Sequence, residues 1–266
     1  MAKATLTKRL EFCASHRYHN AKWDDAKNRK IFGVCNNINT HGHNYLLEVT
    51  LKGDIDPVTG MIINLYDLKI ILHHILEQFD HKNLNLDTPF FSNKIPTTEN
   101  LAWTLWEILQ NHSDLPDLDT LRLYEDETLY AEVTAEDWEK SRDAQNLPSV
   151  LIARRYQFSA IHFATSGQGK GHNYDLWVSV KGQIPEDTGQ VINLHKLDDL
   201  VHKHLLSRLD QQDLSRDPAL STIPVTDSSL SALAWNILAP KLHSSPALIH
   251  LSISQNQGTK ASTACS

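Results

Sequence analysis

The sequence predicts an α+β protein made of two tandem copies of one module, each an antiparallel sheet with two helices on one face. Three observations carry this. First, GHNYLLEVTLKGDIDPVTGMIINLYDL (Gly42 to Leu68) realigns without a gap on GHNYDLWVSVKGQIPEDTGQVINLHKL (Gly171 to Leu197). Shorter pairs follow in the same order: FDHKNL with LDQQDL, IPTTEN with IPVTDS, LWEIL with AWNIL, and LRLYEDE with LSISQNQ. Second, apolar residues in each copy alternate, then recur at three and four, then alternate again. Third, 266 residues accommodate two domains of ordinary size.

The elements follow in order. LTKRLEFCASH alternates and predicts a first strand, and NYLLEVTLKG a second, ending in the turn-like GDIDPVTG. The period then changes: Leu65, Leu68, Leu72, Ile75, Leu76 and Phe79 form an amphipathic stripe, with Asn64 placed to cap it. PTTENLAWTLWEILQNH, with Leu101, Leu105, Ile108 and Leu109, predicts a second helix. DTLRLYEDETLYAEV returns to alternation, as one long strand or a hairpin. Each module therefore reads ββααβ(β), a four-stranded sheet whose bare edges call for pairing with further modules. The first module is expected over residues 1–135 and the second over 150–266. Between them lies a polar linker over 136–149 that ends with Pro148.

Composition narrows the function. The hydrophobic fraction of 41% is that of a globular protein. A formal charge of −7 argues against general nucleic-acid binding. No apolar run approaches the ~18 residues needed to span a bilayer, and MAKATLTKRLEFCASH lacks the apolar core of a signal peptide. Cys13, Cys35 and Cys265 make no disulfide framework, so a reducing cytoplasm is the expected location.

Chemistry concentrates in the first copy. His41 and His43 stand two apart, which puts both rings on one strand face, and His16 ends the first strand, where it can be laid alongside. Three imidazoles form a typical catalytic zinc set with a position left open. The alternative is a surface His-x-His pair and an unrelated core His16.

The ordered series FxASHR, FGxCNNxNxHGHNY, GxxDxxTGMxxNLxDLK, DHxNLN, PTTEN and LYE, from Phe12 to Glu125, resembles the 6-pyruvoyl-tetrahydropterin synthase family and its 6-carboxytetrahydropterin synthase relatives of queuosine biosynthesis. The resemblance implies the tunnelling fold (T-fold), whose sheets join edge to edge into a barrel, with active sites at module boundaries in a homo-oligomer. It implies zinc held by His16, His41 and His43, and a lyase acting on 7,8-dihydroneopterin triphosphate. Cys35 matches the family's general base, Asp80 and His81 its carboxylate–imidazole relay, and Glu125 its pterin anchor. Thr98 and Glu99 would line the pterin pocket, or else cap the second helix. In this chain Asp126 follows Glu125 where the family usually has Thr, so Glu127 is an alternative anchor. Cys35 could instead be a small buried hydrophobe, and Asp80-His81 a helix terminator. His19, His73 and His74 match nothing catalytic. The spacing Cys-x5-His-x-His favours the pyruvoyl product over the carboxy product. A non-catalytic pterin-binding assembly protein is the alternative from another class.

The second copy is bare by comparison. His16 and His43 map to His162 and His172, but His41 maps to Lys170, His81 to Gln211 and Glu125 to Gln255. The segment that holds Cys35 is missing between His162 and Lys170, while Asp80 persists as Asp210. The expectation is one competent site, in the first copy, with the second copy serving as scaffold. A rival reading gives the second copy a ligand of its own, with Lys170 as an anion contact.

Overall fold

A computed structural model describes residues 3–142, 147–163, 167–243, 246–255 and 259–264; Cys265 lies outside the described residues. The chain divides into two compact units, Met1–Ile152 with Gln183–Val191, and Ala153–Gly182 with Ile192–Ser266.

In the first unit β1 (Lys3–His16) is followed by helix α1 (Asp25–Phe32), β2 (His41–Asp54), helix α2 (Leu65–Leu76) and the short β3 (Lys82–Asn83). Helix α3 (Thr98–Gln110), β4 (Asp117–Asp126), β5 (Leu129–Thr134) and helix α4 (Ala135–Ser141) complete it. The sheet order is β3-β1-β2-β4-β5. Four strands are antiparallel, and β3 runs parallel to β1 at Ala14 and Ser15. The β1–β2 ladder runs unbroken from Lys3↔Asp54 to His16↔His41. Alternation decides what is buried: Leu10, Phe12 and Ala14 on β1, and Tyr45, Leu47, Val49 and Leu51 on β2, face the core. Leu68, Leu72, Ile75 and Leu76 of α2, and Leu101, Leu105, Trp106 and Leu109 of α3, supply the apolar layer.

The ββααββ order and the α+β class agree with the sequence reading, and Asn64 caps α2 by accepting from the Tyr66 N–H. Three details differ. Leu65 is exposed, because the first residue of α2 points away from the stripe. Helix α1 carries no apolar periodicity. It is held instead by the Asp24 cap and by the buried Asn28, whose amide reaches the Asn20, Trp23 and Asp24 carbonyls. The stretch read as a linker opens with α4, because Thr134 and Asp137 form a reciprocal capping box.

The second unit holds β6 (Ser149–Phe163, of which residues 149–152 belong to the first unit) and β7 (Gly169–Gln183). Helices α5 (Leu194–Val201), α6 (Ser207–Leu209) and α7 (Asp227–Leu238) and strands β8 (Ala247–Gln255) and β9 (Thr259–Ala264) follow. It repeats the first unit down to backbone detail. His81 and Gln211 both adopt φ 58°, and both donate their N–H to the first strand, at the Cys13 and Ser159 carbonyls (2.6 Å each).

Two one-residue insertions distinguish the copies. Leu197 to Leu209 is one longer than Leu68 to Phe79, and the surplus is absorbed as a π-turn over His202–Leu206 between α5 and α6. Ile223 to Leu238 is one longer than Ile95 to Leu109, so the cap Thr226 corresponds to Thr97 rather than to Thr98. The ungapped pairing of IPTTEN with IPVTDS is corrected accordingly.

Candidate active site

His16 closes β1 opposite His41, which opens β2, and Ala14 pairs with His43. The pleat therefore sends all three imidazoles to one face. One ring nitrogen from each lies within 4.8 Å of the others. His16 is fully buried, with Nδ1 2.9 Å from the Pro96 carbonyl and 3.1 Å from the Tyr45 hydroxyl. A carbonyl only accepts, so Nδ1 carries the hydrogen and Nε2 is a lone pair. That lone pair faces His41 Nε2 at 3.2 Å. Burial and the two neighbouring histidines depress His16 to about 3, so the ring is neutral. His41 Nδ1 and His43 Nε2 are buried without a hydrogen-bond partner among the described residues. The 3.2 Å spacing matches the edge of a tetrahedron of nitrogens at zinc, about 3.3 Å for bonds of ~2.0–2.1 Å. These three residues fit a divalent ion of the zinc type.

Cys35 sits on the single 3-10 turn Gly33–Asn36 that follows α1. Its carbonyl accepts the Tyr18 N–H (2.8 Å), and its side chain packs, half-buried, against the cluster of Tyr18, Phe32 and Ile95. The hydroxyls of Tyr18 and Tyr45 are both pushed up chiefly by burial, with Glu125 and Cys35 adding to the shift. Beside Cys35, the residues Arg17, His19, Arg29 and Asn36 line a cavity of about 820 Å³.

The far wall is the start of α3 against the end of β4. Glu125 is 7% exposed; it accepts from the Tyr18 hydroxyl (3.2 Å) and from the Thr98 hydroxyl, and Oε1 lies 3.4 Å from His43 Nε2. Glu127 is exposed in the β4–β5 turn, away from this wall. The cap of α3 is Thr97, which accepts from the Asn100 N–H, so Thr98 and Glu99 are not needed as caps. Glu99 is buried and raised to about 7 by desolvation; its Oε1 accepts the Val191 N–H (3.1 Å). That donor comes from segment Gln183–Val191, which follows β7 yet belongs to the first unit. The Gly189 carbonyl accepts from Thr97 Oγ1 (2.6 Å), and a Cβ on Gly189 would meet Asn100 Nδ2 at 2.6 Å.

Asp80 and His81 are not brought to this face. Cys13 pairs with Asn44, one residue out of phase with the metal-side residues, and Cys13, Asn44 and His81 line a separate cavity of about 480 Å³. There His81 Nδ1 meets Asp80 Oδ2 (2.9 Å), His81 Nε2 lies 3.7 Å from Cys13 Sγ, and Asp80 Oδ1 accepts the Cys13 N–H (2.9 Å). This carboxylate–imidazole pair is 78% exposed at His81 and lies on the opposite side of β1 from its own copy's imidazoles.

The model of the 6-pyruvoyl tetrahydropterin synthase family matches residues 5–136 and again residues 151–264. The chain belongs to this family. It is 44% identical over 124 residues to the human 6-pyruvoyl tetrahydrobiopterin synthase, covering 46% of this chain and 86% of that protein. It is 31% identical over 93 residues to a putative 6-carboxy-5,6,7,8-tetrahydropterin synthase of Archaeoglobus fulgidus, covering 35% of this chain and 74% of that one. The solved 6-pyruvoyl tetrahydropterin synthase of Caenorhabditis elegans aligns at 36% identity and a TM-score of 0.48, over 51% of this chain and 97% of that one.

Sequence reading of this tandem 6-pyruvoyl tetrahydropterin synthase relative missed Tyr18, Tyr45 and Cys13. Tyr45 follows the histidines at the same two-residue step and could have been found by extending the alternation. Tyr18 and Cys13 meet partners 107 and 68 residues away, which no local pattern reveals. His73 and His74 are exposed on α2, as expected. No helix is long and apolar enough to cross a membrane among the described residues.

Proposed function

We propose that the chain is a zinc-dependent lyase that eliminates triphosphate from 7,8-dihydroneopterin triphosphate to give 6-pyruvoyl-tetrahydropterin. The observation that carries this reading is a trio of imidazoles beside a doubly hydrogen-bonded carboxylate, with a thiol packed against the Tyr18 that donates to that carboxylate. His16, His41 and His43 would hold the zinc; when bound, it supplies Lewis acidity that makes the C–H beside a side-chain oxygen more acidic. Cys35, as thiolate, takes that proton. Glu125, held in place by two donating hydroxyls, accepts the ring's amino and N3 hydrogens. Thr98 and Glu99 form the pocket's wall. Arg17 and Arg29 border a cavity wide enough for a triphosphate.

Asp80 and His81 return a proton to carbon, and their place on the other side of β1 from their own copy's imidazoles supports a role in another copy's site. Assembly of several chains is therefore part of the reading. The two copies of the TG turn support it: Gly189 is seated against α3, whereas Gly60, with φ 71°, faces open space among the described residues. Val58 (91% exposed), Met61, Tyr66 and Ile70 surround that open turn and offer an apolar surface to a second chain.

The test is turnover. Zinc-loaded protein incubated with dihydroneopterin triphosphate should yield 6-pyruvoyl-tetrahydropterin and triphosphate in equal amounts by mass spectrometry. Carboxy product with acetaldehyde would select the queuosine-type reaction instead. Unchanged substrate would leave only a pterin-binding assembly protein.

A further inference from the structure

The second copy keeps a cavity where the first has its active site. It measures about 410 Å³, and His162, Lys170, His172, Asp227, Gln255 and Lys260 are among its lining residues. Strand register and helix caps, anchored on the ungapped match of Gly42–Leu68 with Gly171–Leu197, give the equivalences. Asp175 of β7 pairs with Ser254 of β8 as Leu46 pairs with Tyr124, which puts Gln255 in the place of Glu125. Asp227 is the first residue of α7, as Thr98 is of α3.

The hydroxyl–carboxylate pair Thr98–Glu125 has thus become a carboxylate–amide pair, Asp227–Gln255. By sequence the loss of Glu125 removes the grip on an amino-pyrimidine. In the structure the carboxylate has moved from strand to helix and still faces the cavity. A carboxylate accepts two parallel N–H groups, and a glutamine amide donates one more. That is the complement of the donor–donor–acceptor edge of a 2-amino-4-oxo-pyrimidine, the ring edge shared by pterins and guanine. Lys170 and Lys260 add two ammonium groups, and the N-terminus of α7 a partial positive charge, for an anionic substituent. Two buried polar atoms beside the cavity also lack hydrogen-bond partners among the described residues: Tyr174 Oη and His162 Nδ1. Their first-copy counterparts, Tyr45 and His16, bond to each other at 3.1 Å.

We propose that the second copy is a binding site for a phosphorylated 2-amino-4-oxo-pyrimidine heterocycle, held by Asp227 and Gln255 at the ring and by Lys170 and Lys260 at the phosphates. The ligand is bound and not turned over, because Lys170 stands where the first copy has a metal-binding His and the chain segment for a thiol base is missing. The ring class follows from Asp227 and Gln255 themselves; only the comparison with the first copy rests on the lyase reading.

The test uses the full zinc-loaded chain carrying Glu125→Ala, which closes the first site, titrated with GTP, neopterin and ATP. GTP or neopterin should bind at one per chain, at least ten-fold tighter than ATP, whose ring lacks the edge. GTP alone identifies a guanine nucleotide, neopterin alone a pterin. Asp227→Asn and Gln255→Leu should each weaken binding ten-fold or more, and Lys170→Ala should weaken GTP but not neopterin. Absence of saturable GTP and neopterin binding, equal binding of ATP, or indifference to both ring-side substitutions would overturn the proposal. Turnover by the unmodified chain is scored separately, so failure of the lyase reading and failure of this one are distinguishable.

Discussion

Tyr18 ties the active-site face together at the scale of single residues. Its hydroxyl donates to Glu125 and accepts the Thr98 N–H at 3.3 Å, so one oxygen fixes both the anchor and the helix beside it. Tyr18→Phe leaves the Glu125 carboxylate short of a donor and the Thr98 N–H without that acceptor, at a cost of about 1–3 kcal/mol. It should raise KM for the pterin substrate and lower Tm while leaving bound zinc unchanged; steady-state kinetics with metal analysis reads all three. Cys35→Ala should behave in the opposite way. Zinc and substrate affinity stay, and kcat falls by about 100-fold or more, the scale of a lost general base. Normal turnover by that variant would place the base elsewhere. The histidines were legible in the sequence because a strand's period of two is a local property. Tyr18 was not, because its role depends on where β4 ends, more than a hundred residues on. Strand register favoured Glu125 over Glu127, and Glu125 is the buried one of the two.

Elements explain which residues survived in the degenerate copy. Asp80 matched a relay carboxylate or a helix terminator by sequence; one of its oxygens accepts the Cys13 N–H at 2.9 Å, and Asp210 does the same for Ser159 at 2.9 Å. The carboxylate is retained because it closes the backbone after the first long helix; its imidazole neighbour, with no such duty, became Gln211. The first turn of α3 carries a second element-scale effect. Glu99 titrates at about 7 in the folded protein against an ordinary 4.5, because burial disfavours its charge. The folded state therefore holds this proton more tightly. Its contribution is complete below pH ~4.5 and is lost as pH rises through 7. Glu99→Gln keeps an acceptor for the Val191 N–H and removes the charge. It should match wild type at pH 4.5 and exceed it at pH 8 by up to about 3 kcal/mol in urea unfolding. Helix positions were readable from apolar stripes and caps; α1 was not, because Asn28 and a cap hold it rather than a stripe, and the π-turn was not, because an inserted residue leaves the stripe's composition unchanged.

At the scale of the whole molecule, duplication separates duties that one short chain would have to combine. Segment Gln183–Val191 bonds to Thr97 and Glu99, while Asp80 and His81 lie on the exposed far side of β1, which in the proposed assembly puts them in another chain's site. Chains inactivated at Cys35 and chains inactivated at His81 should then rescue each other. Cys35→Ala and His81→Ala proteins, each nearly inactive, should regain a sizeable fraction of activity when unfolded, mixed and refolded together. A mixture as inactive as its components would mean that the relay does not cross between chains. The repeat itself was plain in the sequence, as was the loss of His and Cys from the second copy. The relocation of a carboxylate from β8 to α7 was hidden by a one-residue insertion before Thr226.

A metal centre built by the first copy alone would hold one ion per chain, and zinc content after loading and exhaustive dialysis reads this out. The expected values are one zinc in the unmodified protein, one in His172→Ala and almost none in His41→Ala. Two zinc ions per chain, or full zinc retention in His41→Ala, would contradict it.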